Sequence, residues 1–181
     1  SFLKELPEDP QWNLIAKKYT AMLIEEKKMK EALPYLTTLH KRENSTQSLY
    51  RLAMAHYEEQ NYDWLLKLPL EPANDVHIKK ITELVRESAI KVANASLAKN
   101  DFEGYEKYLG IFLNLNKDEG KADAAKKDWY SRLFEQKSFD RLFDELKKNP
   151  AIKLFTGPFK DLNKALIDQD LSVGNFSKVL D

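Results

Sequence analysis

Histidines and carboxylates are the residues of this sequence that could catalyse a reaction or bind a metal. His40, His56 and His77 are the only histidines, and none of them has the spacing of a helical ligand pair such as HExxH. By its spacing, His56 belongs to the packing face of a helix, whereas His40 and His77 are expected to be solvated. With 32% charged residues, adjacent carboxylates are expected by chance on solvated helix faces, and acid–base catalysis also requires a pocket around them.

Other catalytic and binding chemistries lack their motifs. Cysteine is absent, which removes thiolate nucleophiles and disulfides, and no GxSxG elbow or glycine-rich phosphate loop occurs. Lys+Arg and Asp+Glu both number 29, which argues against a nucleic-acid binder because such proteins usually carry a basic excess. No apolar run approaches the roughly 20 residues of a membrane span. We therefore expect a protein that is not an enzyme, with no cofactor, no metal, no nucleic-acid partner and no direct membrane insertion.

The apolar residues predict an all-α protein. Only 5 glycines and 7 prolines interrupt the chain, and its apolar residues recur at steps of three and four. Ser45 or Thr46, and Asp75, are the expected N-caps. The predicted helices cover residues 11–28, 29–41, 49 to about 59, a short segment from 62, 76–99, 102–113, 121–136, 139–148, 161–171 and a last one from 176.

A repeat emerges when the first residues after the turns are aligned. They are Met29, Tyr62, Phe102, Phe139 and Phe176, at steps of 33, 40, 37 and 37 residues. A helix-pair repeat of this length indicates an α-solenoid. The predicted units are 1–10 (the end of a preceding unit), 11–44, 45–74, 75–117, 118–156 and 157–181, forming a single helical-repeat domain. The chain starts at Ser1 without a methionine. Its two ends are compatible with an excerpt of a longer array and with the frayed termini of a complete domain.

These repeats resemble the tetratricopeptide repeat, whose pattern runs W-x2-L-G-x2-Y, then A-x3-F, then P. Leu49, Leu52, Ala53, His56 and Tyr62 stand where that pattern has its first-helix set and the aromatic after the turn. The resemblance implies a right-handed α-solenoid of about four to five antiparallel helix pairs. It covers most of the chain with degenerate motifs, since four large residues stand where the family has small ones, and another type of α-solenoid stays open. These four are Leu65, Tyr105, Tyr130 and Leu142.

The same resemblance implies that the first helix of each pair lines a concave, partner-binding face. The candidate residues are those that face away from the core by helical spacing. Aromatic and methionine side chains in this set are of the kind that interfaces favour, but they would equally suit packing against the next hairpin. The candidate partner-binding residues are Tyr50, Met54, Tyr57, Ile90, Asn94, Lys127 and Ser131, and the wider face also includes Lys17 and Leu97.

The function expected from these features is a protein–protein interaction scaffold that binds a peptide or partner protein on its concave face. The alternative is a non-catalytic accessory or spacer domain of a larger enzyme or of a bacterial envelope secretion or assembly protein. Homo-oligomerisation through exposed end helices is compatible with either function. No compartment is predicted, because a soluble protein of the cytoplasm and one of the bacterial periplasm fit the composition equally well.

Overall fold

A computed structural model describes residues 11–70, 74–115 and 119–148. In these ranges the chain is all-helical, as the sequence predicts, and contains no strand. None of these helices combines the length and the apolar composition needed to cross a bilayer. The predicted segments at 1–10, 161–171 and from Phe176 lie outside the described residues. The helices are α1 Trp12–Glu25, α2 Met29–Glu43, α3 Thr46–Glu58, α4 Tyr62–Leu65, α5 Val76–Ala98, α6 Phe102–Leu115, α7 Glu119–Glu135 and α8 Phe139–Lys148.

The chain divides into two compact units, Ser1–Lys117 and Asp118–Asp181. The division lies where the sequence separates its third helix pair from its fourth. Helices α1 to α6 belong to the first unit, and α7 and α8 belong to the second. In each unit, successive helices of a pair pack against one another.

Side chains cap the starts of α3 and α5 at the predicted residues. The Ser45 hydroxyl accepts a hydrogen bond from the Ser48 amide in a reciprocal capping box, an arrangement that satisfies otherwise unpaired helix amides. The Asp75 carboxylate accepts hydrogen bonds from the amides of His77 and Ile78, at 2.7 and 3.0 Å. The Ile78 amide and the Thr46 hydroxyl hold the pKa of Asp75 below its usual range. Both helix starts are therefore fixed by local chemistry.

Four connections between paired helices have the same turn geometry. In each, the residue two places before the second helix is left-handed, with φ of 57 or 58°, and the next amide donates to the carbonyl five residues earlier, at 2.8 or 2.9 Å. This is the Schellman arrangement that ends a helix. Its recurrence gives the sequence repeat a structural counterpart at each of these turns. The left-handed residues are Lys27, Gln60, Asn100 and Lys137.

Two apolar clusters join helices α1 through α5 in the first unit. The first joins α1 and α2 to one side of α3, and the second joins the other side of α3 to α4 and α5. Trp64 packs against both clusters. Large residues at the four positions where the tetratricopeptide repeat has small ones are all buried: Leu65, Tyr105, Tyr130 and Leu142 are at most 1% exposed. The helix pairs of both units therefore accommodate bulky side chains at these positions.

Two glycines of α6 differ in their surroundings and should respond in opposite ways to alanine. Gly104 donates its amide to the Asp101 carboxylate at 2.9 Å, and a Cβ there would collide with an Asp101 oxygen and lie 2.8 Å from the Ser96 hydroxyl. A Cβ at Gly110 meets nothing within 4 Å. We expect Gly110→Ala to raise the free energy of unfolding by about 1 kcal/mol, and Gly104→Ala to lower it by about 1 kcal/mol because the cap is lost. Urea denaturation of both variants tests this, and stabilisation by Gly104→Ala would contradict the described contact.

Candidate functional site: the α3–α5 face

The candidate site lies on two neighbouring helices that run parallel. At their starts, the Thr46 hydroxyl of α3 donates to the Asp75 carboxylate that caps α5, at 2.9 Å. At the end of α3, the Tyr57 hydroxyl donates to Glu87 of α5 at 2.6 Å. Each contact joins residues about 30 positions apart, so the two helices are parallel and in register. We call the surface where these two helices meet the α3–α5 face. It includes Tyr50, Met54 and Tyr57 of α3 and Lys80, Glu87 and Lys91 of α5.

Tyr50 occupies the N-terminal part of this face. Its half-buried ring lies with its centroid 5.8 Å from that of His77, and the Lys80 ammonium lies 5.3 Å from the Tyr50 centroid. An ammonium within about 6 Å of an aromatic face is attracted to the ring. One edge of Tyr50 therefore packs on α5, while the side chain keeps part of its surface exposed.

Tyr57 lies two turns further along α3 and joins three polar groups. Its hydroxyl accepts a hydrogen bond from the Lys91 ammonium at 2.7 Å while donating to Glu87. Lys91 also lies 4.4 Å from the Tyr57 centroid and 5.5 Å from that of Tyr62. Burial and the Glu87 hydrogen bond raise the pKa of Tyr57, and the Tyr57 hydrogen bond raises that of Lys91. At neutral pH the phenol is therefore protonated and the amine charged, as this bonding requires.

Met54 lies between these tyrosines in sequence and is half-buried. Tyr50 and Tyr57 pack at the margin of the second apolar cluster, and Met54 is not among the side chains packed there. The Met54 thioether is thus a partly exposed apolar group outside that cluster. The buried part of each tyrosine packs against the next hairpin, and the exposed part is available to a partner.

The remaining predicted partner-binding residues differ in position. Ile90, half-buried, and Asn94, exposed, lie one turn apart on α5. Lys127, exposed, and Ser131, half-buried, are on α7 in the second unit, where the Ser131 hydroxyl donates to the Lys127 carbonyl at 2.9 Å. The structure thus places Tyr50, Met54 and Tyr57 beside α5, whereas Ile90 and Asn94 lie on the part of α5 that extends beyond the end of α3, and α7 belongs to a separate unit.

One expectation about exposed residues is wrong, and two residues expected to be solvated are only partly exposed. Leu97, assigned to the outward face, is only 8% exposed because it lies in the last turns of α5, which α6 covers. His40 and His77, expected to be solvated, are both half-buried: the His40 Nδ1 lies 3.0 Å from the Ser48 hydroxyl, and His77 packs beside Tyr50. Lys17, also assigned to the wider face, pairs with Glu43 of α2 at 2.5 Å.

Sequence reasoning missed the charged residues of this face. Lys80, Glu87 and Lys91 recur at steps of seven and four on α5, which places them on one side of that helix. Their spacing was a usable signal, but only the register between α3 and α5 shows that this side meets the tyrosines.

A second feature of the same unit is an open groove beside the α3–α4 turn. His56 stacks on Trp64 with ring centroids 3.9 Å apart and planes 14° apart. The groove has a volume of roughly 540 Å³ and is lined by His56, Gln60, Asn61, Tyr62, Asp63, Trp64 and Val92. The predicted packing role of His56 is consistent with this stack.

His56 should make stability depend on pH. Its Nδ1 is buried and has no hydrogen-bond partner among the described residues, and burial lowers its pKa from 6.5. Because the unfolded chain binds this proton more readily, the stability contribution is complete above pH 6.5 and is lost as pH falls from 6.5 through the lower folded pKa. We expect wild type to lose stability relative to His56→Phe, which keeps a stacked ring, between pH 7.5 and pH 5. Urea titrations at each pH measure this, and parallel curves for the two proteins would contradict it.

The described residues offer no metal-binding cluster. Among them, no three His, Asp or Glu side chains are grouped so as to hold a metal ion. What the α3–α5 face presents instead is partly exposed aromatic and thioether surface bordered by charges of both signs. Compared with protein-family models, curated proteins and solved structures, the chain gives no match in any of the three.

Proposed function

We propose that this chain is a segment of a right-handed α-solenoid that binds a peptide or partner protein through the α3–α5 face and so scaffolds an assembly. The observation that carries the proposal is the row of half-exposed Tyr50, Met54 and Tyr57 on a helix held parallel to its neighbour. Tyrosine and methionine present large or adaptable contact surfaces with polar edges or polarizable atoms, and such residues are enriched at protein interfaces.

The recurrent turn supports the repeat architecture on which the proposal rests. In four connections the first helix is followed by a left-handed residue, and the next amide donates to the carbonyl five residues earlier. First helices of adjacent units that run parallel, as α3 and α5 do, are what stacked helix pairs would produce. A tetratricopeptide-like array fits both features, and its concave side would then be the side on which first helices meet.

A second function, that of a spacer or accessory domain, has one observation in its favour. The Tyr57 hydroxyl already has two partners on α5, Glu87 and Lys91. A tyrosine whose polar atom is satisfied within the chain serves packing without any external partner. In that case the face stiffens the array, and substitutions on it change stability and leave partner binding unaltered.

Affinity capture separates the two functions. The wild-type chain and a Tyr50→Ala/Tyr57→Ala variant are immobilised side by side, exposed to native lysate, and the retained proteins are identified by mass spectrometry. We expect one partner that wild type holds and the variant loses, with equal helicity of both proteins by circular dichroism. Equal retention by both proteins, no retained partner, or loss of helicity in the variant would contradict the assignment of this face.

A further inference from the structure

The groove beside the α3–α4 turn arises from a difference in helix length. α5 has 23 residues and α3 has 13, and their first residues are in register. At 1.5 Å per residue, α5 therefore extends about 15 Å beyond the end of α3. Val92, which lines the groove, belongs to this extension. The one-turn helix α4 begins beside the groove, and its residues Tyr62, Asp63 and Trp64 also line it. The groove is therefore the space between the end of α3 and the side of α5 that extends past it.

Asp63 gives the groove its charge. Its carboxylate is exposed, and no described side chain pairs with it. The lining also contains His56, which is uncharged at neutral pH because burial lowers its pKa. The remaining lining groups are the Gln60 and Asn61 amides, the aromatic rings of Tyr62 and Trp64, and Val92. At neutral pH the lining therefore combines a single negative charge with aromatic and aliphatic surface.

We propose that this groove binds the guanidinium or ammonium side chain of an arginine or lysine presented by a peptide segment of a partner. The aliphatic stem would lie on Val92 and the rings, as such stems do on apolar surface, and the cationic head would reach Asp63, with amide oxygens of Gln60 or Asn61 as further acceptors. A purely apolar side chain would desolvate the Asp63 carboxylate without compensation.

The proposal goes beyond the α3–α5 face and does not require that face to bind anything. An exposed ion pair and a cation–π contact at an exposed site are both weak interactions. A single cationic residue should therefore bind weakly, with a Kd on the order of tens of mM. The groove would act as one subsite for a basic segment, and other contacts would supply the rest of the affinity.

NMR titration of the ¹⁵N-labelled full chain tests the proposal at this affinity. The probes are the capped peptide acetyl-Gly-Arg-Gly-amide and the same peptide with citrulline, which keeps the shape of arginine and lacks its charge. The expected result is saturable shifts of the Gln60, Asn61 and Val92 amides and of the Trp64 indole N–H with the arginine peptide, and at least fivefold weaker binding of the citrulline peptide. Equal binding of both peptides, or shifts confined to other regions, would overturn the proposal.

Matched variants separate the groove from general surface charge. Asp63→Asn should weaken arginine-peptide binding at least fivefold, and Asp63→Lys should abolish it. Glu103→Gln is the control, because Glu103 is an exposed acid at the same second position of α6 that Asp63 has in α4, and it should leave binding unchanged. The spectrum of each variant reports whether it is folded. Equal losses in Asp63→Asn and Glu103→Gln, or no loss in either, would refute the groove as a cation site, whatever the capture experiment on the α3–α5 face shows.

Discussion

Replacing Leu65 by alanine is expected to lower the free energy of unfolding of the first unit by about 3 kcal/mol. Leu65 is 0% exposed and belongs to the second apolar cluster, with Ala53 of α3 and with Ile81 and Val85 of α5. Truncation removes buried methyl groups and leaves a cavity between three helices.

The effect should be large because α4 has little stability of its own. A four-residue helix is far below the length at which isolated helices persist in water, so packing must hold it in place. Leu65 and Trp64 are its apolar anchors, and Trp64 contacts both clusters. Weakening this turn should therefore also loosen the groove and the contact between Tyr62 and Lys91.

Urea denaturation followed by circular dichroism measures the loss, with Leu14→Ala as the matched control. Leu14 is 58% exposed on α1, so its truncation should change stability by no more than about 0.5 kcal/mol. If the two substitutions destabilise the chain equally, the described position of α4 is wrong.

The second large effect concerns binding. Tyr50→Ala together with Tyr57→Ala should weaken the affinity for a captured partner by about 3 kcal/mol, on the order of 100-fold. Truncating a tyrosine that is an interface hot spot costs about 2 kcal/mol or more, and neighbouring losses are not strictly additive. Biolayer interferometry with the captured partner measures the change, and most of it should appear as faster dissociation.

Tyr57→Phe shows whether the ring or the hydroxyl matters. It keeps the ring but removes the bridge to Glu87 and Lys91, which should reduce stability by about 1 kcal/mol. If the ring contacts the partner, this variant should retain affinity within about threefold. A loss as large as that of the double alanine variant would show that the polar bridge, and with it the packing of α3 on α5, is what the partner requires.

Local features of this fold could be predicted from the sequence because they depend on neighbouring residues. Residue type predicts Ser45 or Thr46, and Asp75, as N-caps, and the structure has Ser45 and Asp75 in these positions. The predicted end of the second helix at Lys41 was two residues early, because the chain continues helically until the left-handed Asn44. None of this required knowledge of which helices are adjacent.

The candidate site could be predicted only in part, because its contacts join helices. Tyr50, Met54 and Tyr57 were found by spacing along α3. Their partners Lys80, Glu87 and Lys91 lie about 30 residues further on, and only the parallel register of α3 and α5 brings them together. His77 shows the same difficulty. Its position at the start of α5 suggests exposure to solvent, but its ring lies beside Tyr50 of α3.

Site-specific photo-crosslinking tests the central claim most directly. A benzoylphenylalanine placed at Met54, in the middle of the α3–α5 face, is compared with one at the exposed Leu14 of α1 after irradiation in native lysate. The account predicts that one partner protein is crosslinked from position 54 and not from position 14. Crosslinking from position 14 alone, or from neither position, would contradict the assignment of the α3–α5 face as the partner-binding surface.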